Sequence, residues 1–471
     1  MPSDASPDRS GAHESSRPFD VGLLSPVSVG HDAVVSDESV LDALVAVEVA
    51  LVRAYGAVGT APAAIVDDVS SALGWQGNGR GCRGHGVDAS ALAASSVSGG
   101  NPVIPLVAEL KASVPEAARR WVHRGATSQD IQDSALMLVS YRAGREILAS
   151  LRHVEVALAS FVRAHADDVA AARTLTQHAV PTTVGLRGAV WLRGVRRATD
   201  RLESAVQQLP AQLGGAGGTL AAIVEVAGAD EAARLVTPFS GALGLAVPDA
   251  PWHTNRWPVT ELGDALVQAV DAVGKIATDV ATLSRTEIGE VAEGAAGGSS
   301  AMPQKRNPSG SVLIRSAALR APQLGATLHL AAALATDERP DGSWHAEWPT
   351  LRELLRIALG ATANAARVID GLSVDLGAVA RNLALTGALI VSERLSSTLV
   401  PLIGRARFDA LVADASAGAD LAALVRALPE AADLDVTALV DPAQYLGLAG
   451  DLARSAQRER GPLDESPEVL S

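Results

Sequence analysis

The chain has 471 residues, 48% apolar and 20% charged, which is ample for two or three packed units and normal for a globular protein. A net charge of -14 excludes a nucleic-acid partner, because a phosphate backbone needs a basic surface, but it leaves room for a few cations in a small-anion pocket. Cys82 is the single cysteine, so an intrachain disulfide and a thiolate metal cage are both excluded.

In chain order, residues 1–18 are polar and rich in Pro and Ser, and read as a disordered tail without the apolar segment of a signal peptide. No run of 18 apolar residues occurs, so a cytoplasmic protein with no membrane partner is expected. Residues 36–58 run apolar at helical spacing behind Ser36 or Asp37 as N-cap. Gly74 to Gly86 (GWQGNGRGCRGHG) reads as a loose surface loop. From Ile131 to about Asp168 there is no Pro and one Gly, and Leu148, Leu151, Val154, Leu158 and Phe161 recur three or four residues apart. A second such run lies between Pro181 and Pro210. A third, from Val259 to about Glu290, aligns Leu266, Val270, Val273, Val280 and Leu283. Roughly 30 residues of helix make a rod of about 45 Å. Three such rods predict a bundle, shared between subunits. No segment alternates with period two, so the expected class is all-α with almost no sheet, and shorter helices follow residue 385. The expected division is an N-terminal helical domain over 19–130, a central long-helix domain over 131–385 and a small C-terminal helical domain over 386–471.

Chemistry concentrates in Gly297 to Pro308 (GGSSAMPQKRNP). Two glycines and two prolines impose a loop, while Ser299, Ser300, Lys305 and Asn307 supply polar groups. A Gly/Ser loop carrying a lysine suits closure over an anionic substrate, and its amides and Lys305 suit stabilisation of developing negative charge. Other motifs are declined. GGAGGT at 214–219 lacks the lysine of a phosphate-binding loop, and His345 and Glu347 lack the spacing of a zinc helix, so neither cofactor nor metal is expected.

The loop matches GSSxMPxKxNP at every fixed position and so resembles the signature of the fumarase/aspartase superfamily. Two further stretches resemble the other active-site regions of that family. In HRGATSQDIQDSA (His123 to Ala135), Thr127 and Ser128 are implied to bond a substrate carboxylate; locally, either is also a good helix N-cap. In RTLTQHAVPTTVG (Arg173 to Gly185), Thr176 and Gln177 are implied substrate contacts; locally, the stretch reads as a helix terminator ahead of Pro181. Arg339 falls where relatives carry a substrate-facing arginine, with a surface ion pair as its plainer reading, and His178 reads as structural. Within the superfamily the chain is most similar to 3-carboxy-cis,cis-muconate cycloisomerases, through GNPVIPLV (100–107), QLGGAGGTLAA (212–222), PWHT (251–254), LSRTEIGEVAE (283–293), DERPDGSWHAEW (337–348) and NLALTGALIVSERL (382–395). The resemblance implies a three-domain helical subunit and a homotetramer. Each active site would draw its three regions from three subunits and take a small di- or tricarboxylate.

The implied reaction removes a proton alpha to a carboxylate and expels a group from the beta carbon, with Ser299 as base and Ser300 as the less favoured choice. Thr127, Ser128, Lys305, Asn307 and Arg339 would stabilise the doubly charged aci-carboxylate. Fumarases, argininosuccinate lyases and adenylosuccinate lyases place a proton-transferring His in the second region, where this chain has Leu175. A carboxylate or nitrite leaves as a stable anion and needs no acid. Leu175 therefore fits cycloisomerisation of 3-carboxy-cis,cis-muconate, the favoured reading, with the nitrosuccinate lyases of the same branch as the alternative, and fits amine or water release poorly. Gln304 departs from the cycloisomerase pattern, which has His there. A non-enzymatic relative is the remaining alternative, and the intact Ser299, Lys305 and Asn307 count against it.

Overall fold

The computed structural model describes residues 20–294, 297–298, 302 and 305–457. Helices dominate it, as a chain rich in Ala and without period-two alternation should produce. Helix α1 (Asp37–Ala57) starts as expected at Ser36, whose side chain accepts the Ser39 N–H at 3.2 Å. Glu48 is the one charged residue among its buried positions.

Five long helices form the body: α2 (Ser128–Ala164), α3 (Val184–Gln207), α4 (Trp257–Leu283), α5 (Ser309–Ala333) and α6 (Ser343–Asp370). The first three are the predicted rods. The third stops at Leu283 rather than near Glu290, in a polar turn that ends with Gly289 at φ +63°. The last two carry internal prolines, Pro322 and Pro349, which hide them from a reading that treats proline as a stop. Side-chain bonds fix their directions. Trp344 at the start of α6 bonds Asp133 near the start of α2, and Asp370 at its end bonds His153, so α2 and α6 run parallel. Arg256 also bonds Asp133 just before α4, and Glu290, beyond the end of α4, bonds Arg173, beyond the end of α2. Hence α2, α4 and α6 run one way, while α3 and α5 return. At Gly144 on α2 an added Cβ would lie 2.4 Å from Val206 Cγ2, so glycine is what lets α3 approach this closely. With 37 residues, α2 separates the two ends of the bundle by about 55 Å.

Two of the plainer local readings give way to built structure. Arg173 to Gly185 holds no helix terminator: β1 (Val169–Thr174) and β2 (Gln177–Thr183) form an antiparallel hairpin, with Thr174 opposite Gln177. Its two-residue turn needs left-handed backbone at both positions, and Leu175 and Thr176 supply it at φ +48° and +72°. Nor is Gly74–Gly86 loose. Trp75 bridges Cys82, Cys82 is buried, Gly79 N–H donates to Ala242 O at 3.0 Å, and Arg142 donates to Gly79 O at 3.2 Å. Beyond residue 385 the helices shorten, and a second apolar core gathers Ile390, Leu395, Leu399, Phe408 and Val425. Among the described residues no single helix is long and apolar enough to cross a membrane.

Candidate active site

At the starting end of α2, stretches scattered over more than two hundred positions converge. Thr127 caps the helix, and its N–H donates to Asp130 Oδ2 at 3.0 Å, half of a capping box. Asp130 also accepts Gly214 N–H (2.8 Å), Gly215 N–H (2.9 Å) and His253 Nε2 (2.9 Å). One turn on, Asp133 accepts Arg256 at 2.7 and 3.1 Å and Trp344 Nε1 at 2.8 Å, while Arg256 reaches Glu347 at 2.7 Å. All of these groups are buried. Two carboxylates thus share one guanidinium. Burial pushes the Glu347 carboxyl up, and Asp133 adds to this; Arg256 counters without cancelling it.

Above this buried layer sits the first predicted contact pair. Arg339 donates from Nη2 to the Thr127 hydroxyl and, at 3.3 Å, to Ala216 O. The surface ion pair weighed for Arg339 does not form among the described residues; its partners are a hydroxyl and a carbonyl. A guanidinium held by neutral acceptors keeps its charge available to an incoming carboxylate. Ser128 follows as the first residue of α2 and is half-buried.

Sequence reading assigns no role to His123 or to its partner Glu48. His123 has left-handed backbone (φ +60°), its N–H donates to Glu48 Oε2 at 2.9 Å, and its Nδ1 lies 2.7 Å from Glu48 Oε1. Burial acts to lower the imidazole pKa, but the bond and charge of Glu48 outweigh it and hold the ring above its ordinary value. The signal was present in the sequence: Glu48, the lone acid inside the apolar run ALVAVEVALV (43–52), needs a partner.

The far end of the bundle carries the second region. Arg173 grips Glu290 with two bonds, at 2.6 and 3.2 Å; Asn382 donates to Glu290 at 2.9 Å, and Arg187 lies 3.5 Å away. Burial acts to raise the Glu290 carboxyl, but the bonds of Arg173 and Asn382 and the two arginine charges hold it below the usual range. From this anchor the hairpin projects Leu175, 96% exposed, and the exposed Thr176 and Gln177 beside a cavity of about 850 Å³. His178 Nδ1 lies 2.8 Å from the Thr386 hydroxyl; burial and then Arg173 lower its pKa, so it stands as a neutral, anchored ring.

Of the third region, Ser299, Ser300 and Gln304 lie outside the described residues. Its feet are fixed: Gly297–Gly298 pairs with Arg306–Asn307, and Glu293 accepts Gly310 N–H (3.0 Å) and Ser311 N–H (2.8 Å) at the start of α5. Lys305 is exposed and Asn307 half-buried. One subunit therefore joins Thr127 to Arg339, but keeps Thr176 and Gln177 about 55 Å away, at the other end of α2.

Residues 92–322 match the family described as Lyase. The nitrosuccinate lyase of Streptomyces davaonensis is 46% identical over 93% of this chain and 94% of its own length. The 3-carboxy-cis,cis-muconate cycloisomerase of Pseudomonas aeruginosa is 38% identical over 92% of this chain and 95% of its own. Among solved structures, the 3-carboxy-cis,cis-muconate lactonizing enzyme from Pseudomonas putida aligns with a TM-score of 0.83 at 33% identity, covering 93% of this chain and 98% of that one. Identity at this level over nearly the whole length, on the same helical fold, establishes that the chain belongs to the fumarase/aspartase superfamily and is an enzyme of its lyase and cycloisomerase branch.

Proposed function

We propose that this enzyme eliminates a good anionic leaving group from a small succinate-like substrate, and that nitrosuccinate is the first substrate to test. Ser299 removes the proton alpha to one carboxylate, which leaves the aci-carboxylate, and the carbon–nitrogen bond at the neighbouring carbon then breaks. The electron pair of that bond leaves with nitrite, and fumarate remains. Thr127, Ser128, Arg339, Lys305 and Asn307 bind the carboxylates and stabilise the aci-carboxylate, while Thr176 and Gln177 contact the substrate from the hairpin. The observation that carries this reading is Leu175. The tip that relatives use for proton transfer presents an apolar side chain, and the anchored His178 behind it faces Thr386. A second reading, cycloisomerisation of 3-carboxy-cis,cis-muconate, needs no acid for the same reason, and the lactonizing enzyme's TM-score of 0.83 favours it.

The site is read as complete only in a homotetramer. Val312, Leu319 and Leu330 are exposed and fall on one face of α5 at 100° per residue, and the exposed Leu334 caps the helix just beyond them, an apolar stripe suited to other copies of the chain. Bringing the hairpin of one subunit to the Thr127 end of another would join the separated regions.

The test is kcat/KM on nitrosuccinate, 3-carboxy-cis,cis-muconate, malate, argininosuccinate and adenylosuccinate. One of the first two should turn over well. The last three should be slower by about 10²–10⁴-fold, the usual loss for a basic leaving group without its acid. Efficient turnover of any of those three would show that another group supplies the proton. Ser299→Ala should abolish turnover with the fold intact; retained activity there, with loss in Ser300→Ala, would move the base by one residue.

A further inference from the structure

Asp130 is 0% exposed, and each of its carboxylate oxygens accepts two donors: Gly214 N–H and His253 Nε2 on Oδ1, Thr127 N–H and Gly215 N–H on Oδ2. The two acceptors that hold Arg339, the Thr127 hydroxyl and Ala216 O, belong to Thr127 itself and to the residue after Gly215. Both pieces of backbone that place the guanidinium therefore hang on one carboxylate. His253, 5% exposed, is the only side chain among the four donors. Its own carbonyl is tied in turn, by Gln129 Nε2 at 2.8 Å and Arg256 Nη1 at 3.4 Å. The ring sits close against the glycine stretch: an added Cβ on Gly214 would come within 2.8 Å of His253 Cε1 and of Pro251 Cβ. That explains a glycine pair in which a phosphate-loop reading found no lysine.

We infer that Asp130 and His253 form a positioning pair that sets where Arg339 meets a substrate carboxylate. A charged acceptor saturated by four donors in a buried setting has one arrangement, so the two backbone segments cannot drift independently. Neither residue touches substrate; both act through Thr127, Ala216 and Arg339. The inference rests on the reading of Arg339 and Thr127 as carboxylate contacts, and it extends that reading to side chains no motif marks.

The experiment is a double-mutant cycle on the full-length protein, with fumarate as dicarboxylate probe and Kd from calorimetry, alongside KM and kcat on the active substrate. His253→Leu should weaken fumarate binding and raise KM by about tenfold, the scale of one lost charge-assisted bond, with a smaller change in kcat. His253→Gln, which can keep a donor near Nε2, should stay within about twofold. Arg339→Ala in the His253→Leu background should add little, because the guanidinium is already misplaced. Gly214→Ala serves as the second variant should His253→Leu fail to fold; it displaces the ring without deleting it and should also raise KM. Additive losses in the cycle, or a Gln variant as weak as the Leu variant, would overturn the positioning pair while leaving the carboxylate reading in place. A wild-type protein that binds no fumarate would overturn both. Failure on every substrate, with fumarate still bound and the cycle non-additive, would count only against the proposed reaction.

Discussion

The two ends of the bundle solve the same problem with opposite charge ratios. Where α2 starts, Arg256 serves two acids, Asp133 and Glu347. Beyond its far end, Glu290 serves two bases, Arg173 and Arg187. Every one of these groups is at least partly withdrawn from water, so the imbalance stays local. The first end is a closed layer with a surplus of negative charge beneath it, and its function is to hold backbone: Thr127, Gly214 and Gly215 all answer to Asp130. The second end is an anchor with a surplus of positive charge beside an open cavity, and it holds a hairpin out into solvent. Ion pairs at the first end hold backbone in place, while those at the second aim an arm. On the proposed reading, neither end is a complete site.

If that division is right, Glu290 should be the more costly carboxylate to neutralise. Glu290→Gln leaves two arginines facing one neutral amide, and breaking a buried pair by removing one partner costs about 3–5 kcal/mol. Denaturant unfolding should show that loss, together with loosening of the hairpin. Glu347→Gln should cost about 1 kcal/mol or less, because Arg256 keeps Asp133 and a surplus negative charge is removed. A larger loss for Glu347→Gln than for Glu290→Gln would reverse the comparison.

The smaller effect is in pH. The depressed Glu290 carboxyl contributes stability that is present above the ordinary value of 4.5 and is lost as pH falls through its folded value. Glu347 is raised, so its ionised form weakens the fold, and its contribution improves as pH falls through the raised value towards 4.5. The gap in melting temperature between wild type and Glu290→Gln should therefore persist at pH 5 and close only in stronger acid. Any gap for Glu347→Gln should instead widen as pH falls through the raised Glu347 value towards 4.5, because only the wild type gains from that protonation. Parallel pH profiles for the two variants would contradict the opposite shifts.

Legibility in the sequence followed the same physical divide. The three rods were readable because a helical stripe uninterrupted by mid-helix proline is a local signal, and Ser36 and Thr127 marked the starts of α1 and α2 by capping chemistry. Helices α5 and α6 were not, since tertiary packing tolerates Pro322 and Pro349 where local rules stop a helix. The hairpin was missed because Leu175 and Thr176 occupy left-handed backbone that usually calls for Gly or Asn, so the turn carries no turn signature. Strain of that kind, kept at an exposed tip, fits a tip held for use rather than for stability. The site showed a similar split. Thr127 and Arg339 were each found by resemblance to relatives, but their contact spans 212 positions and no local pattern links them. Asp130, His253 and Glu48 went unremarked, because a buried polar residue declares its role only when its partners are known.

On the proposed reading, one active site needs both ends of the bundle, supplied by different subunits. Two variants, each impaired at one end, test it directly: Arg339→Ala and Gln177→Ala, mixed, dissociated and reassembled, then assayed on the substrate the wild type prefers. Mixed tetramers should regain a substantial share of wild-type activity, because some sites combine an intact Arg339 end with an intact hairpin. Light scattering and mass analysis confirm that subunits have exchanged. Activity no greater than the sum of the two parents, in fully exchanged tetramers, would contradict it.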